Sequence, residues 1–166
     1  MNATPRSEWI VTVQGIAKRI QDDLGESWIP RIYRDRILKL RTRSYNFDHL
    51  KPTDRIAIQH TLLGIELKIG RKRLLCPDLA TARYLSVFAR AGCKDVAIPY
   101  DITKISLLAD ELESSWFRML LLADQFGTAK VRTRLRGQLF ANIRTEVLTA
   151  GPGTRIPEFR QRTRQR

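Results

Sequence analysis

From residue 101 to residue 149 the chain is governed by apolar residues that return every three or four positions. Ile105, Leu108, Leu112, Trp116, Met119 and Phe126 form one series, and Val131, Leu135, Leu139, Ile143 and Val147 form a second. This spacing puts each series on one side of an α-helix, and such a stripe must be covered by the rest of the chain. Asp101 or Thr103 can cap the first helix, and Gly127 breaks it. The second, over residues 129–149, stops at the Ala-Gly-Pro-Gly of 150–153. Two helices of this length commit the chain to a helix-rich fold.

The remaining segments supply the partners for those stripes. Residues 7–24 predict a helix capped by Ser7, with Ile10, Val13, Ala17, Ile20 and Leu24 on one face and Gly25 at its end. Ile65, Leu67 and Ile69 alternate with Glu66 and Lys68; a turn at Gly70 and a run over 73–76 complete a hairpin. Asp78 caps a further helix closed by Gly92, and DVAIPY at 95–100 is a run of strand length. Residues 28–47 carry two patterns. Pro30 opens a helical turn with Ile29, Tyr33, Ile37 and Leu40 along one side. From Leu38 onward the residues alternate, with Lys39, Arg41 and Arg43 on one face and Leu38, Leu40 and Thr42 on the other. The expectation is a short helix passing into a strand over 37–47. The residues 47–54 form a loop.

The fold class that results is helix-rich α/β or α+β. A small sheet, a hairpin plus one or two strands, packs against about four helices. Residues 1–151 make a single basic globular domain, and 152–166 an Arg-rich C-terminal tail expected to be mobile. The 166 residues are enough for one core without disulfides or metals. Cys76 and Cys93 form no CxxC pair, which suits reduced thiols, and MNATPRSEWI at the start has no apolar signal core. A cytoplasmic location is expected.

Charge narrows the partners. The formal net charge is +13, spread over the whole length, and Arg outnumbers Lys 22 to 8. Such a surface attracts polyanions, and guanidinium groups favour planar, two-pronged contacts to phosphate or carboxylate. Codon usage can account for the preference for Arg, though not for the net charge.

Several enzyme signatures are absent: there is no GxSxG elbow and no GxGxxG loop, and His49 and His60 lack partners at zinc-ligand spacing. Gly64 and Gly70 before Arg71 and Lys72 are one residue too far apart for a phosphate loop. One pattern does point to chemistry. Asp54 is followed by Glu66 and Lys68 with one residue between them, on the expected strand. This resembles the acidic–ExK pattern of the PD-(D/E)xK nuclease superfamily. The resemblance implies that Asp54 and Glu66 hold a divalent metal such as Mg²⁺ while Lys68 steadies the attacking water or the phosphate charge. It covers about fifteen residues, and Thr53 separates Pro52 from Asp54 where the family has a Pro-Asp pair. The alternative is a solvent-facing strand with alternating Glu and Lys.

Three basic stretches stand out: 31–43, 130–136 and the tail. On a helix, Lys130, Arg132, Arg134 and Arg136 fall on both flanks of the apolar seam, where their stems can cover neighbouring apolar surface. Near the first stretch, Tyr33, Tyr45 and Phe47 could stack on unpaired bases. Asp110 and Glu113, three apart in the long helix, suit a dock for an arginine. The leading expectation is a non-enzymatic nucleic-acid-binding protein, DNA or RNA, that grips phosphates with little base preference and needs no cofactor. Its contacts would be Arg31, Arg34, Lys39, Arg41, Arg43, Tyr45, Arg71, Lys72 and Arg73. The alternatives are the metal-dependent nuclease and an adaptor or assembly factor docking on an acidic protein or ribonucleoprotein. A membrane is ranked last among partners, since 129–149 offers one Phe and no Trp for insertion.

Overall fold

The computed structural model describes residues 5–47, 50–51 and 54–153. Helix α1 (Pro5–Leu24) starts two residues before the expected Ser7 cap, because proline is well suited to a first helical turn. Val13, Ala17, Ile20 and Leu24 on its inner face are buried. A turn at Gly25–Ser27 leads into α2 (Ile29–Ile32), which opens with Pro30 in its first turn. The chain then widens into one π-type turn over Tyr33–Ile37, with the Leu38 N–H donating to the Tyr33 carbonyl.

Here the strand expected over 37–47 is corrected. Ile29, Ile32, Tyr33 and Ile37 are all at most 2% exposed, and only a helical path buries them together. That burial prevails over the alternating pattern until the turn at 38–40. Strand β1 therefore runs only from Thr42 to Asn46. It pairs antiparallel with β5 (Asp95–Pro99), from Thr42 opposite Pro99 to Asn46 opposite Asp95.

A second sheet is a three-stranded meander of β2 (Ile56–Thr61), β3 (Gly64–Ile69) and β4 (Lys72–Cys76). The expected hairpin is β3–β4, and β2 adds a strand before it. Ile58, Leu67 and Leu74 lie across from one another, on the face that turns toward α3 (Leu79–Ala91). Asp78 caps α3 by accepting from the Thr81 N–H at 2.7 Å, and Gly92 ends it in the left-handed region at φ +85°.

Helix α4 (Ile102–Ala123) touches α1, α2, α3 and α5 (Ala129–Ala150), and its Ile105, Leu108, Leu112, Trp116 and Met119 are buried. Asp101 caps it through the Thr103 N–H. Phe126, expected on the same stripe, lies beyond the helix end, half-buried in the turn under Arg19. Trp116 stacks on Phe140 of α5 with ring centroids 4.9 Å apart. With every strand pair antiparallel and the helices gathered on the sheets, the fold is helix-rich α+β with a small sheet in two parts.

An aromatic knot fixes the ribbon on the helices. The Tyr33 hydroxyl accepts from the Ala97 N–H at 2.8 Å and donates to the Gly151 carbonyl at 2.6 Å, while Tyr84 donates to the Ala97 carbonyl at 2.6 Å. The outer edge of β5 thus ends in side-chain hydroxyls in place of another strand. Burial pushes the Tyr33 phenol up to about 12 and Tyr84 well above the ordinary tyrosine value, so both stay protonated donors. Gly153 lies against Thr42, Ala97 and Leu38, so the body extends to at least that residue. The rest of the expected tail, 154–166, and positions 48–49 and 52–53 of the expected loop lie outside the described residues. Among the described residues no helix is long and apolar enough to cross a membrane.

Candidate nucleic-acid interface

The anticipated basic residues fall into three groups, set by local structure. In the first, Arg31 and Arg34 project from α2 and the π turn, and Lys39 from the turn that follows; all three are exposed. They surround Asp35, which receives the Arg34 Nε–H at 2.9 Å. That hydrogen bond above all, with the charges of Arg34, Arg31 and Lys39, holds Asp35 below the usual carboxylate range. Part of the positive charge here is therefore already answered. Lys39 does not continue the β1 row, since the strand begins three residues later.

The second group is Arg41, Arg43 and Tyr100. Tyr100 is held opposite Arg41 by its N–H, which donates to the Arg41 carbonyl at 3.2 Å. Both arginines point to the same side, and their guanidinium carbons lie 5.2 and 5.7 Å from the Tyr100 ring centre. This is the direct and diagonal pairing expected across an antiparallel ladder. Neither arginine has a carboxylate partner among the described residues. Two like charges are thus held together on one ring, where their fields add.

The third group is joined to the second by a cleft. Tyr45, two residues along β1 from Arg43, lines a cleft of about 180 Å³ with Asn46, Phe47, Leu67, Ile69, Lys72, Arg73 and Leu74. Its floor is the apolar face of the meander, and Lys72 and Arg73 bring in the β3–β4 hairpin. Arg71 sits exposed in the turn before them. Tyr45 packs edge-on against Phe47 at 5.0 Å. The stacking role considered for Tyr33 and Phe47 is corrected: they are 0% and 3% exposed and belong to the core.

Asp54 and Glu66 are set apart along the meander. Asp54 closes a turn, accepting the Lys51 N–H at 2.9 Å, and its carboxylate occupies the space where a side chain on Gly70 would lie. Gly70 has φ +61° and is four residues beyond Glu66, roughly 13 Å along the strand. Glu66 itself is 4% exposed, between Gln59 and Leu75, and its Oε1 makes no hydrogen bond. Lys68 is half-buried on the same side of β3.

The arginines of the helices have different surroundings. Arg83 reaches Glu113 at 2.6 Å and Asp110 at 2.6 Å, the dock anticipated for those carboxylates. Arg36 forms a two-pronged pair with Glu111. On α5, Arg132 donates to the Gly127 carbonyl at 2.8 Å and Arg136 to Asp124 at 2.6 Å. The Arg41–Tyr100–Arg43 cluster was only half legible in the sequence: the arginines were anticipated, Tyr100 was not. Its signal is positional, since a strand pairing Thr42 with Pro99 sets residue 100 opposite residue 41.

No family model matches the chain, and neither a curated protein nor a solved structure is significantly similar to it.

Proposed function

We propose that this chain is a cytoplasmic, non-enzymatic protein that binds nucleic acid through its phosphates. The observation that carries the reading is the convergence of Arg41 and Arg43 on Tyr100, with no carboxylate partner among the described residues, beside a cleft lined by Lys72 and Arg73. A phosphate can accept from both guanidinium groups at once, which supplies the negative charge the cluster lacks. Arg71, exposed in the β3–β4 turn, and Lys39, exposed in the turn before β1, add further positive charge, and Arg31 and Arg34 add long-range attraction moderated by Asp35. Tyr100 carries two arginines and Tyr45 packs on Phe47, so the surface supports backbone contact more than base reading.

The test is a salt titration of binding by fluorescence anisotropy, using labelled single- and double-stranded oligonucleotides. Affinity is expected to fall as salt rises, with a log–log slope near one per phosphate contact. No binding at ~20 mM salt would remove the reading. An acidic protein partner is the second reading, favoured by Leu62, Leu63 and Leu75, which are 106%, 76% and 57% exposed around the β2–β3 turn. It predicts a partner retained after nuclease treatment and weak binding to the oligonucleotides. The spacing of Asp54 and Glu66 leaves the nuclease reading with no observation in its favour beyond the sequence pattern.

A further inference from the structure

The cleft between β1 and the meander is apolar inside and cationic at its edge. Leu67, Ile69 and Leu74 line its floor, and Tyr45 stands at one wall beside Phe47. These two rings meet edge-on, and an edge-on pair takes up at most one face of either ring. Phe47 therefore leaves Tyr45 a face to offer. The volume of about 180 Å³ is the room of about six waters, the bulk of one heterocyclic base.

Positive charge lies on both banks of this space. On β1, Arg43 is two residues from Tyr45 and shares its face by strand alternation, about 7 Å along the strand. On the meander, Lys72 and Arg73 enter the lining from β4. Among the described residues that line the cleft there is no carboxylate. An apolar slot between two cationic banks suits a flat ring with an anion on either side. Single-stranded nucleic acid carries its groups in that order, phosphate, base, phosphate, and its bases are free to leave the stack. A duplex keeps its bases inside and presents phosphate and sugar. Asn46 alternates to the other face of β1, where its amide donates to Asp95 at 2.6 Å, so the slot stacks on a base more than it reads its edge. We propose that one unstacked base of a single strand lies in the cleft against Tyr45, with its flanking phosphates on Arg43 and Lys72.

The proposal rests on the phosphate-binding reading and narrows it to single strands, and the choice of probes separates the two. Fluorescence anisotropy at one low salt concentration compares three labelled probes: oligothymidylate, an abasic strand of the same length and charge, and the duplex of oligothymidylate with oligoadenylate. Oligothymidylate is expected to bind at least roughly fivefold more tightly than the abasic strand, the effect of one stacked base. It should also bind more tightly than the duplex. A grip on phosphates alone predicts the reverse order, because the duplex carries its charges more densely. Tyr45→Ala should bring the ratio of oligothymidylate to abasic affinity close to one, while Tyr45→Phe, which keeps the ring, should preserve it. Leu74→Trp, which fills the slot, should lower the ratio as Tyr45→Ala does, and circular dichroism checks that each variant keeps the fold. Equal affinity for the abasic strand and oligothymidylate overturns the base site and leaves the phosphate reading standing. Absence of binding to every probe overturns both. Tighter binding of an aspartate-rich peptide bearing one tryptophan than of oligothymidylate would give the cleft to a protein partner and overturn the proposal.

Discussion

Residues 38–44, LKLRTRS, and 130–136, KVRTRLR, share the tripeptide Arg-Thr-Arg and the same alternation of basic residues, yet they produce opposite surfaces. On α5 the backbone itself and the preceding turn offer acceptors: Arg132 reaches Gly127 and Arg136 reaches Asp124. On β1 the backbone acceptors are used by the ladder, and residues 41 and 43 project together. Among the described residues, Arg41 and Arg43 find only the face of Tyr100. A helix disperses alternating charges and lets its own ends absorb them; a strand gathers them on one side. What an arginine run can bind is thus decided by the period of the backbone beneath it, more than by the number of charges.

On the proposed function, binding falls to the strand arginines and stability to the helix arginines, and each half can be broken separately. The largest effect is expected from Arg41→Ala with Arg43→Ala. At ~50 mM salt oligonucleotide affinity should fall roughly a hundredfold, about tenfold per lost charge-assisted contact, with little change in Tm. Arg132→Ala with Arg136→Ala should move affinity less than about threefold at the same salt. If the two double variants weaken binding equally, charge alone matters and the contrast is lost.

Next in size is Arg83→Ala. Arg83 is largely covered and serves two carboxylates, so its loss should cost about 1–2 kcal/mol in denaturant unfolding. Arg43→Ala should stay within about 0.5 kcal/mol. A third test concerns Glu66, a carboxylate on the sheet side with no partner for Oε1. Glu66→Gln replaces the buried carboxylate whose Oε1 lacks a hydrogen bond with a neutral amide and should raise stability by about 1 kcal/mol. A loss of that size would mean that the carboxylate is answered after all.

The smallest effect is the pH dependence of the Arg36–Glu111 pair. The hydrogen bonds from Arg36 hold Glu111 below the usual carboxylate range. A carboxylate depressed in the folded state stabilises above its unfolded value, near pH 4.3, and loses that contribution as pH falls through its folded value. Thermal melts from pH 6 to pH 3 should show a slightly shallower acid decline in Glu111→Gln than in the wild type. Identical declines would mean that the exposed pair contributes nothing.

How much of this was legible in the sequence follows from the range of the interactions involved. The helices α3, α4 and α5 and their caps at Asp78 and Asp101 were readable, because they depend on spacing and on contacts three or four residues away. Strand β2 was missed, although Ile56 and Ile58 alternate with Ala57 and Gln59, since two apolar positions make a weak signal beside a loop. The end of the helix at Ile37 depends on burying Tyr33 against Ala97 and Gly151, partners more than sixty residues distant. The arginines of the candidate interface were readable as charge. Tyr100, which gathers two of them, became visible only with the β1–β5 register. The separation of Asp54 from Glu66 likewise depends on where β2 begins, which the ExK spacing does not encode.

The sharpest experiment compares the salt dependence of oligonucleotide binding in the wild type and in Arg41→Ala with Arg43→Ala. If these two arginines grip phosphates, the variant's log–log slope should be shallower by about two, one for each contact removed. An unchanged slope would contradict the assignment of the phosphate site to Arg41, Tyr100 and Arg43.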